Sequence, residues 1–155
     1  LQRIGQYLGA PVRFDSLQQA ADAMWIMSSS FGPHTAQQWL ELSRHMVRTL
    51  PDGGLAMHYD PAIAQAFKAM TPEVSAASAM QLWQLYDRIH ARTLLLRGAQ
   101  SDLLSPETAQ AMVHRGPMAK LVEFEGVGHA PTLMAQDQVQ VVSEFLLAPE
   151  ATVAA

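Results

Sequence analysis

The stretch Thr93–Ala109, TLLLRGAQSDLLSPETA, decides how this sequence folds. Residues 93–96 form a short continuous apolar run that Gly98 closes, which is typical of a buried parallel strand. Residues 105–107, SPE, then supply a helix cap, a proline at the first helical position and an acid in the first turn. The stretch therefore predicts a strand, a loop and a helix in that order.

A second strand and a second helix follow this stretch. Residues 120–124, KLVEF, predict the strand, and residues 126–129, GVGH, predict a loop after it. One face of a final amphipathic helix then contains Val139, Val142, Phe145 and Leu146. The order strand, helix, strand, helix predicts an α/β fold with a parallel βαβα unit. Because two parallel strands are too few for a stable sheet, we expect residues 91–148 to form the edge of a larger one.

Two residue types suited to catalysis lie in the loops after these strands. Asp102 follows the first strand and His129 follows the second. Because the carboxyl ends of neighbouring parallel strands meet at one edge of a sheet, we expect the two residues to lie close together. A carboxylate can accept the Nδ1–H of an imidazole and stabilise its protonated form, so that the other ring nitrogen acts as general base. In the alternative interpretation, His129 is a structural loop histidine and Asp102 a turn residue that satisfies local amides.

These residues together resemble the C-terminal part of the α/β-fold hydrolases. The similarity covers TLLLRGAQSDLLSPETA at 93–109, GVGHAPTL at 126–133 and the amphipathic helix that follows. In that family an acid follows a late strand and a histidine follows the last strand, and these positions fall on Asp102 and His129. Residues 1–90 resemble more loosely the helical cap and connecting helices of the family. The resemblance implies hydrolysis of an ester-like or related small apolar substrate, without a cofactor.

The nucleophile of that family has no counterpart in this sequence. Its place is a G-x-S-x-G elbow that precedes the acid and the histidine along the chain, and no such motif occurs here. The three consecutive serines at 28–30 lack the flanking glycines and lie in or at the end of a helical pattern. We therefore expect the nucleophile, a serine or an aspartate in this family, to lie outside the chain. The chain alone is expected to be inactive.

A non-enzymatic alternative stays open, namely a hydrolase-derived binding or interaction module that has lost its active site. As part of an enzyme, the chain is expected to expose a strand edge near residues 93–97, and such an edge would allow a homodimer. As a binding module, the chain is expected to cover that edge. The oligomeric state would therefore help to separate the two interpretations.

The periodicity of apolar residues divides the chain into three segments. Residues 1–90 are expected to form cap and connecting helices, residues 91–148 the βαβα part of the hydrolase core, and residues 149–155 a disordered tail. The helices of the first segment are predicted at Leu1–Leu8, after the cap Ser16, from the cap Thr35 to Leu50, from the cap Asp60 with Pro61 as first helical residue, and at Met80–Arg88.

Composition narrows the classes of partner and location. With 49% hydrophobic and 15% charged residues the chain is a globular protein. A net charge of −4 without any basic run argues against nucleic acid as a partner. The absence of a membrane-length apolar stretch, a signal peptide and cysteine predicts a cytoplasmic protein with no membrane partner. Because the chain begins at Leu1, we expect its true N-terminus to be missing.

Four residues are candidates for contact with a small-molecule substrate. Trp25 and His34 lie in the predicted cap region, and Leu103 and Leu104 directly follow the predicted acid. The alternative for the apolar residues of the cap is ordinary core packing at helical spacing. No group of histidine and acidic residues has the spacing of a metal site, so no metal is expected.

Overall fold

The computed structural model describes residues 12–68, 71–129 and 131–149. The helix predicted at Leu1–Leu8 and most of the predicted disordered tail lie outside these residues. Within the described ranges, no helix is long and apolar enough to cross a membrane.

The described residues fall into two compact units. The first unit contains residues 12–29 and Pro33–Ile89. The second unit contains Ser30–Gly32 and residues 90–149. Both residues of the predicted catalytic pair belong to the second unit.

The first unit begins with two capped helices, α1 (Leu17–Ser28) and α2 (Ala36–Arg44). The hydroxyl of Ser16 accepts an N–H of the first turn of α1 at 3.1 Å. Thr35 accepts the N–H of Gln38 at 3.2 Å, and the Gln38 side chain accepts the N–H of Thr35 at 2.9 Å. Both predicted helix starts are therefore confirmed, because the capping residues satisfy amide groups that lack partners within the helix.

A small antiparallel sheet, which was not predicted from the sequence, completes this part of the first unit. Its strands are β1 (Arg13–Phe14), β2 (Val47–Thr49) and β3 (Leu55–Met57). The strand order is β1-β3-β2, so that β3 lies in the middle and pairs with both neighbours. The first unit is thus not a run of helices alone.

The prediction of one helix from Thr35 to Leu50 is wrong in its second half. Helix α2 ends at Arg44, and β2 follows after a two-residue turn. The β-branched residues of β2 favour extended backbone. Residues 51–54, PDGG, are the tip of a hairpin, since the N–H of Leu50 donates to the carbonyl of Gly54 at 2.7 Å. Residues 51–54 therefore form a turn, as predicted, but this turn joins β2 to β3 and does not end a helix.

The tip of this hairpin is tied by Asp52. Its carboxylate accepts the N–H of Gly54 at 3.0 Å and the Nε–H of Arg13 at 3.0 Å. These bonds, with that from Gly54 the stronger influence, lower the pKa of Asp52 below its usual value. Arg13 also pairs with Asp15, so the hairpin tip and the start of the described chain share one cluster of charges.

The last two helices of the first unit are α3 (Ile63–Lys68) and α4 (Pro72–Tyr86). The predicted start with Asp60 as cap and Pro61 as first helical residue is wrong by two residues. The carboxylate of Asp60 instead accepts the N–H of Ala62 at 2.8 Å in a turn that precedes α3. The predicted helix at Met80–Arg88 lies largely within α4, which begins much earlier in the chain.

Helices α1 and α2 build the core of the first unit with β1. The indole Nε1–H of Trp39 donates to the carbonyl of Ala21 at 2.8 Å, which ties α2 to α1 and satisfies the polar atom of a buried ring. The buried residues of this core are Phe14, Ala20, Ala21, Met24 and Trp39.

The second unit has the predicted order of strand, helix, strand, helix. These elements are β4 (Leu94–Gly98), α5 (Pro106–Val113), β5 (Lys120–Phe124) and α6 (Gln136–Leu147). Strands β4 and β5 are parallel and paired along their whole length, from Leu94 opposite Lys120 to Gly98 opposite Phe124. The predicted α/β fold with a parallel βαβα unit is therefore confirmed.

The start of α5 also agrees with its prediction. The hydroxyl of Ser105 accepts the N–H of Thr108 at 3.1 Å, and Pro106 is the first helical residue. Hydrogen bonds from its own backbone N–H and from Ser105 lower the pKa of Glu107 in the first turn. A fixed helix start matters for the site, because it also fixes the end of the loop that carries Asp102.

Candidate active site

Two loops leave the carboxyl ends of β4 and β5. We call residues 99–105 the acid loop, because it carries Asp102, and residues 125–129 the histidine loop, because it ends at His129. Since β4 and β5 are adjacent and parallel, both loops leave the same edge of the sheet. The side chains of Asp102 and His129 are both exposed.

Main-chain hydrogen bonds continue from the strands into the two loops. The N–H of Ala99 donates to the carbonyl of Phe124 at 2.9 Å. The N–H of Gln100 then donates to the carbonyl of Val127 at 3.0 Å, and its side-chain amide donates to Glu125 at 3.2 Å. The acid loop and the histidine loop are therefore joined by hydrogen bonds close to the points where they leave the strands.

The two predicted catalytic residues are equally distant, along the chain, from the residues that this hydrogen bond joins. Asp102 lies two residues beyond Gln100, and His129 lies two residues beyond Val127. Two residues of extended chain span at most about 7 Å, so neither residue can be far from the hydrogen bond that joins the loops. The structure thus brings the two loops together in the way that the sequence predicts.

The end of β4 also touches the histidine loop directly, through Gly98. A Cβ atom at this position would lie 1.9 Å from the carbonyl oxygen of Gly128 and 2.3 Å from that of Val127. Both neighbours are main-chain atoms, which cannot rotate away as a side chain could. Any side chain at Gly98 must therefore push the two loops apart.

Hydrogen bonds hold the histidine loop before His129 and the segment that follows His129. Before it, the N–H of Gly128 donates to the carbonyl of Ser30 at 2.5 Å. After it, the N–H of Leu133 donates to the side-chain oxygen of Gln138 at 2.8 Å, and Gln138 is buried at the start of α6. Ser30 is a poor candidate nucleophile, but its main-chain carbonyl supports the histidine loop.

The acid loop is folded around two polar residues. The hydroxyl of Ser101 accepts the N–H groups of Leu103 and Leu104 at 3.4 and 3.1 Å, which closes a tight turn at Asp102. Arg97, buried in β4, donates to main-chain carbonyls of the same loop. Arg97 was not predicted from the sequence, because no local pattern indicates which carbonyls of the loop it contacts.

The two remaining pocket candidates belong to the first unit. The rings of Trp25 and His34 contact each other edge to face, with centroids 6.3 Å apart, and both contact Trp39 at 5.0 and 5.7 Å. Trp25 is partly exposed, whereas Trp39 is buried in the core. The three rings form one aromatic cluster, which packing alone explains and which leaves the role of Trp25 and His34 in substrate binding a prediction.

A cavity of about 260 Å³ lies elsewhere in the first unit, beside the antiparallel sheet. None of the pocket candidates lines it. Its lining residues are Val12, Arg13, Arg48, Leu50, Ala56, Met57, Tyr59 and Pro61. Among the residues that the structure describes, no three histidine or acidic side chains are grouped closely enough to hold a metal ion.

The fold of the chain matches that of a known class of proteins. No family model matches the sequence. Solved structures of α/β hydrolases, however, match nearly the whole chain, so the predicted resemblance to the α/β-fold hydrolases is confirmed. The chain has the fold of about half of an α/β hydrolase.

Three relatives illustrate the similarity. The chain is 41% identical over 148 residues to a 3-hydroxybutyrate-oligomer hydrolase from Cupriavidus necator, covering 94% of the chain and 50% of the relative. An α/β hydrolase from Novosphingobium aromaticivorans superposes with a TM-score of 0.75 at 33% identity, over 94% of the chain and 50% of its own length. An esterase from Mycobacterium tuberculosis, with a TM-score of 0.59, 18% identity and coverages of 94% and 47%, shares the fold. The chain thus spans about half the length of the relatives it matches.

Proposed function

We propose that the chain supplies the acid and the base of an ester hydrolase, with Asp102 and His129 as two members of a nucleophile–acid–histidine triad. The main support is the hydrogen bond from Gln100 to Val127, at 3.0 Å, which joins the loops that carry these two residues. The order of acid before histidine, each after a strand of one parallel pair, supports the same assignment. The nucleophile comes from a part of the α/β-hydrolase fold outside this chain.

In this proposal, His129 removes the proton of the nucleophile as that group attacks the ester carbonyl. Asp102 accepts the Nδ1–H of His129, holds the ring in the correct tautomer and stabilises the imidazolium that forms. His129 then gives the proton to the departing alcohol. In the second half of the reaction His129 takes a proton from water as the water oxygen attacks the acyl carbonyl. It then gives this proton to the nucleophile as the bond to the acyl group breaks and the acid product leaves.

The proposed substrate class is that of short esters of small hydroxy acids. The curated relative at 41% identity is named for hydrolysis of 3-hydroxybutyrate oligomers. Units of a hydroxy acid that are joined through hydroxyl and carboxyl groups form ester bonds, which suit the chemistry of the triad. Cleavage of an ester by direct attack on its carbonyl favours serine over aspartate as the nucleophile, because a serine hydroxyl forms the acyl intermediate of that reaction.

The experiment is to express the complete protein and to measure hydrolysis of the 3-hydroxybutyrate dimer with Asp102→Asn and His129→Ala variants. Each substitution is expected to lower kcat/KM by about 10⁴-fold, because each removes a member of the proton-transfer system. Asp137→Asn and His114→Ala are matched controls, since both residues are exposed and belong to the same unit. Asp137 lies in the first turn of α6 and His114 at the end of α5, outside the two loops of the site.

The controls are expected to retain wild-type kcat/KM at a temperature where every variant is folded. If the Asp102 and His129 variants hydrolyse the dimer and a p-nitrophenyl ester at wild-type rates, the catalytic assignment is wrong. If they lose only hydrolysis of the ester substrates while the fold is unchanged by circular dichroism, the assignment stands. Wild-type protein that cleaves p-nitrophenyl esters but not the dimer would contradict the substrate class alone.

A further inference from the structure

Arg97 is a charged residue in the interior of the second unit, next to the last residue of β4. Its side chain is only 3% exposed. Burial of an unpaired guanidinium would be very unfavourable, so its partners determine what the residue does. Those partners are main-chain carbonyls of the acid loop and one carboxylate on β5.

The carbonyl partners of Arg97 lie on both sides of Asp102 along the chain. The Nε–H of Arg97 donates to the carbonyl of Leu104 at 2.8 Å, and Nη1 donates to that of Ala99 at 3.3 Å. Nη2 lies 3.5 Å from the carbonyl of Ser101, at the limit for a hydrogen bond. The planar guanidinium therefore fixes the loop before, beside and after Asp102 with a single rigid group.

The carboxylate partner links this loop to the other strand of the site. Nη1 of Arg97 also donates to Glu123 at 2.5 Å. Arg97 and Glu123 are paired in the register of β4 and β5, one residue before the end of each strand. The ion pair thus ties the strand that leads to Asp102 to the strand that leads to His129, directly before the two loops.

We propose that Arg97, with Glu123, is a positioning residue. It holds the acid loop so that the Asp102 carboxylate stays in position to accept the Nδ1–H of His129. The inference rests on the proposed function, because it assigns Arg97 a role only through that pair. A misplacement of about 1 Å in a catalytic group can lower a rate about 100-fold, so a fixed loop has a direct catalytic consequence. Arg97 itself touches neither substrate nor nucleophile in this proposal.

The test compares Arg97→Lys with Arg92→Ala in the complete protein. A lysine keeps the positive charge beside Glu123 but cannot donate to three separated carbonyls from one plane. Arg92 is the matched control: it also donates to three carbonyls, those of Phe145, Ala148 and Pro149, but at the other end of β4. Arg97→Lys is expected to lower kcat about 10- to 100-fold with KM nearly unchanged, whereas Arg92→Ala is expected to leave kcat unchanged.

Melting temperature separates positioning from simple stabilisation. A positioning role predicts that Arg97→Lys loses kcat at a temperature where the variant is fully folded, and that Arg92→Ala melts earlier while it keeps kcat. A second variant, Arg97→Ala, is expected to regain part of its kcat when millimolar guanidinium is added. The same addition should leave Asp102→Asn inactive, because that variant lacks the group that Arg97 positions.

The inference is overturned if Arg97→Lys keeps the wild-type kcat, or if its loss of kcat only parallels a loss of folded protein. Its failure differs from failure of the proposed function. If Asp102→Asn and His129→Ala lose activity and Arg97→Lys does not, only the role of Arg97 is wrong. If Asp102→Asn and His129→Ala stay active, both proposals fall.

Discussion

The two ends of β4 are each held by an arginine, and the two arginines differ in burial and in what they fix. Near the carboxyl end, Arg97 is 3% exposed and donates to acid-loop carbonyls and to Glu123. Before the amino end, Arg92 is exposed and donates to three carbonyls at and beyond the end of α6. The guanidinium of Arg92 also lies 4.7 Å from the ring centroid of Phe145.

The difference shows that burial determines the effect of losing a hydrogen-bond partner of an arginine. An exposed arginine can exchange its carbonyl partners for water, so Arg92 contributes modestly to the docking of α6. A buried arginine has no such exchange available, so loss of one partner of Arg97 leaves a polar group without water. We therefore expect changes at the carboxyl end to alter site geometry and changes at the amino end to alter stability alone.

The largest effect on stability is expected from Gly98→Ala at the carboxyl end. The new Cβ would lie 1.9 Å from the carbonyl oxygen of Gly128, so the acid and histidine loops must separate. Overpacking against main chain is expected to lower the free energy of unfolding by about 3 kcal/mol, and the altered geometry to remove most activity. Thermal unfolding and ester hydrolysis of the complete protein measure the two effects.

Gly126→Ala is the matched control for this substitution. Gly126 lies in the histidine loop with a φ of 72°, but a Cβ there meets nothing within 4 Å. Only the backbone penalty of about 1–2 kcal/mol is therefore expected. Equal effects of the two alanines would mean that the contact between the loops does not constrain the site.

A smaller effect is expected from Arg92→Ala at the amino end of β4. Loss of its exposed hydrogen bonds and ring contact should lower the free energy of unfolding by about 1 kcal/mol, which corresponds to a few degrees in Tm. Calorimetry of the complete protein gives the shift, and kcat for ester hydrolysis should stay at the wild-type value. A loss of kcat at unchanged Tm would contradict the expectation that changes at the amino end of β4 alter stability alone.

The smallest effect is expected from Ser30→Ala. The bond that supports the histidine loop uses the main-chain carbonyl of Ser30, which alanine retains. Both kcat and Tm are therefore expected to stay close to the wild type. A large loss of kcat with an unchanged KM would instead show that the Ser30 hydroxyl takes part in the reaction.

The second unit could be predicted from the sequence in detail because its local signals agree with its packing. The apolar run before Gly98, the cap at Ser105 and the KLVEF strand each have one consistent interpretation, and the structure confirms them. Parallel pairing then places the loops of Asp102 and His129 at one edge. The class of fold follows from these elements, whereas the roles of the two residues stay a prediction.

The first unit was predicted less well because its strands are only two or three residues long. The apolar residues Met46 and Leu50 continue the helical spacing of α2, so periodicity alone could not reveal β2. Val47 and Thr49, with the PDGG turn at 51–54, were the available signals for a hairpin.

Arg97 was missed for a different reason, since its role depends on contacts that no local pattern encodes. Alignment of LLLRG at 94–98 with KLVEF at 120–124 as parallel strands places Arg97 opposite Glu123, and this pairing was the one signal in the sequence. The carbonyl partners of Arg97 depend on the path of the acid loop, which the sequence does not specify.

The central claim, that Asp102 and His129 act as one catalytic pair, is tested most directly by a double-mutant cycle on kcat/KM in the complete protein. If the carboxylate acts only through the imidazole, Asp102→Asn should cost little once His129 is alanine, so the double variant should lie within about threefold of His129→Ala. Losses that multiply, as for two independent residues, would contradict the claim.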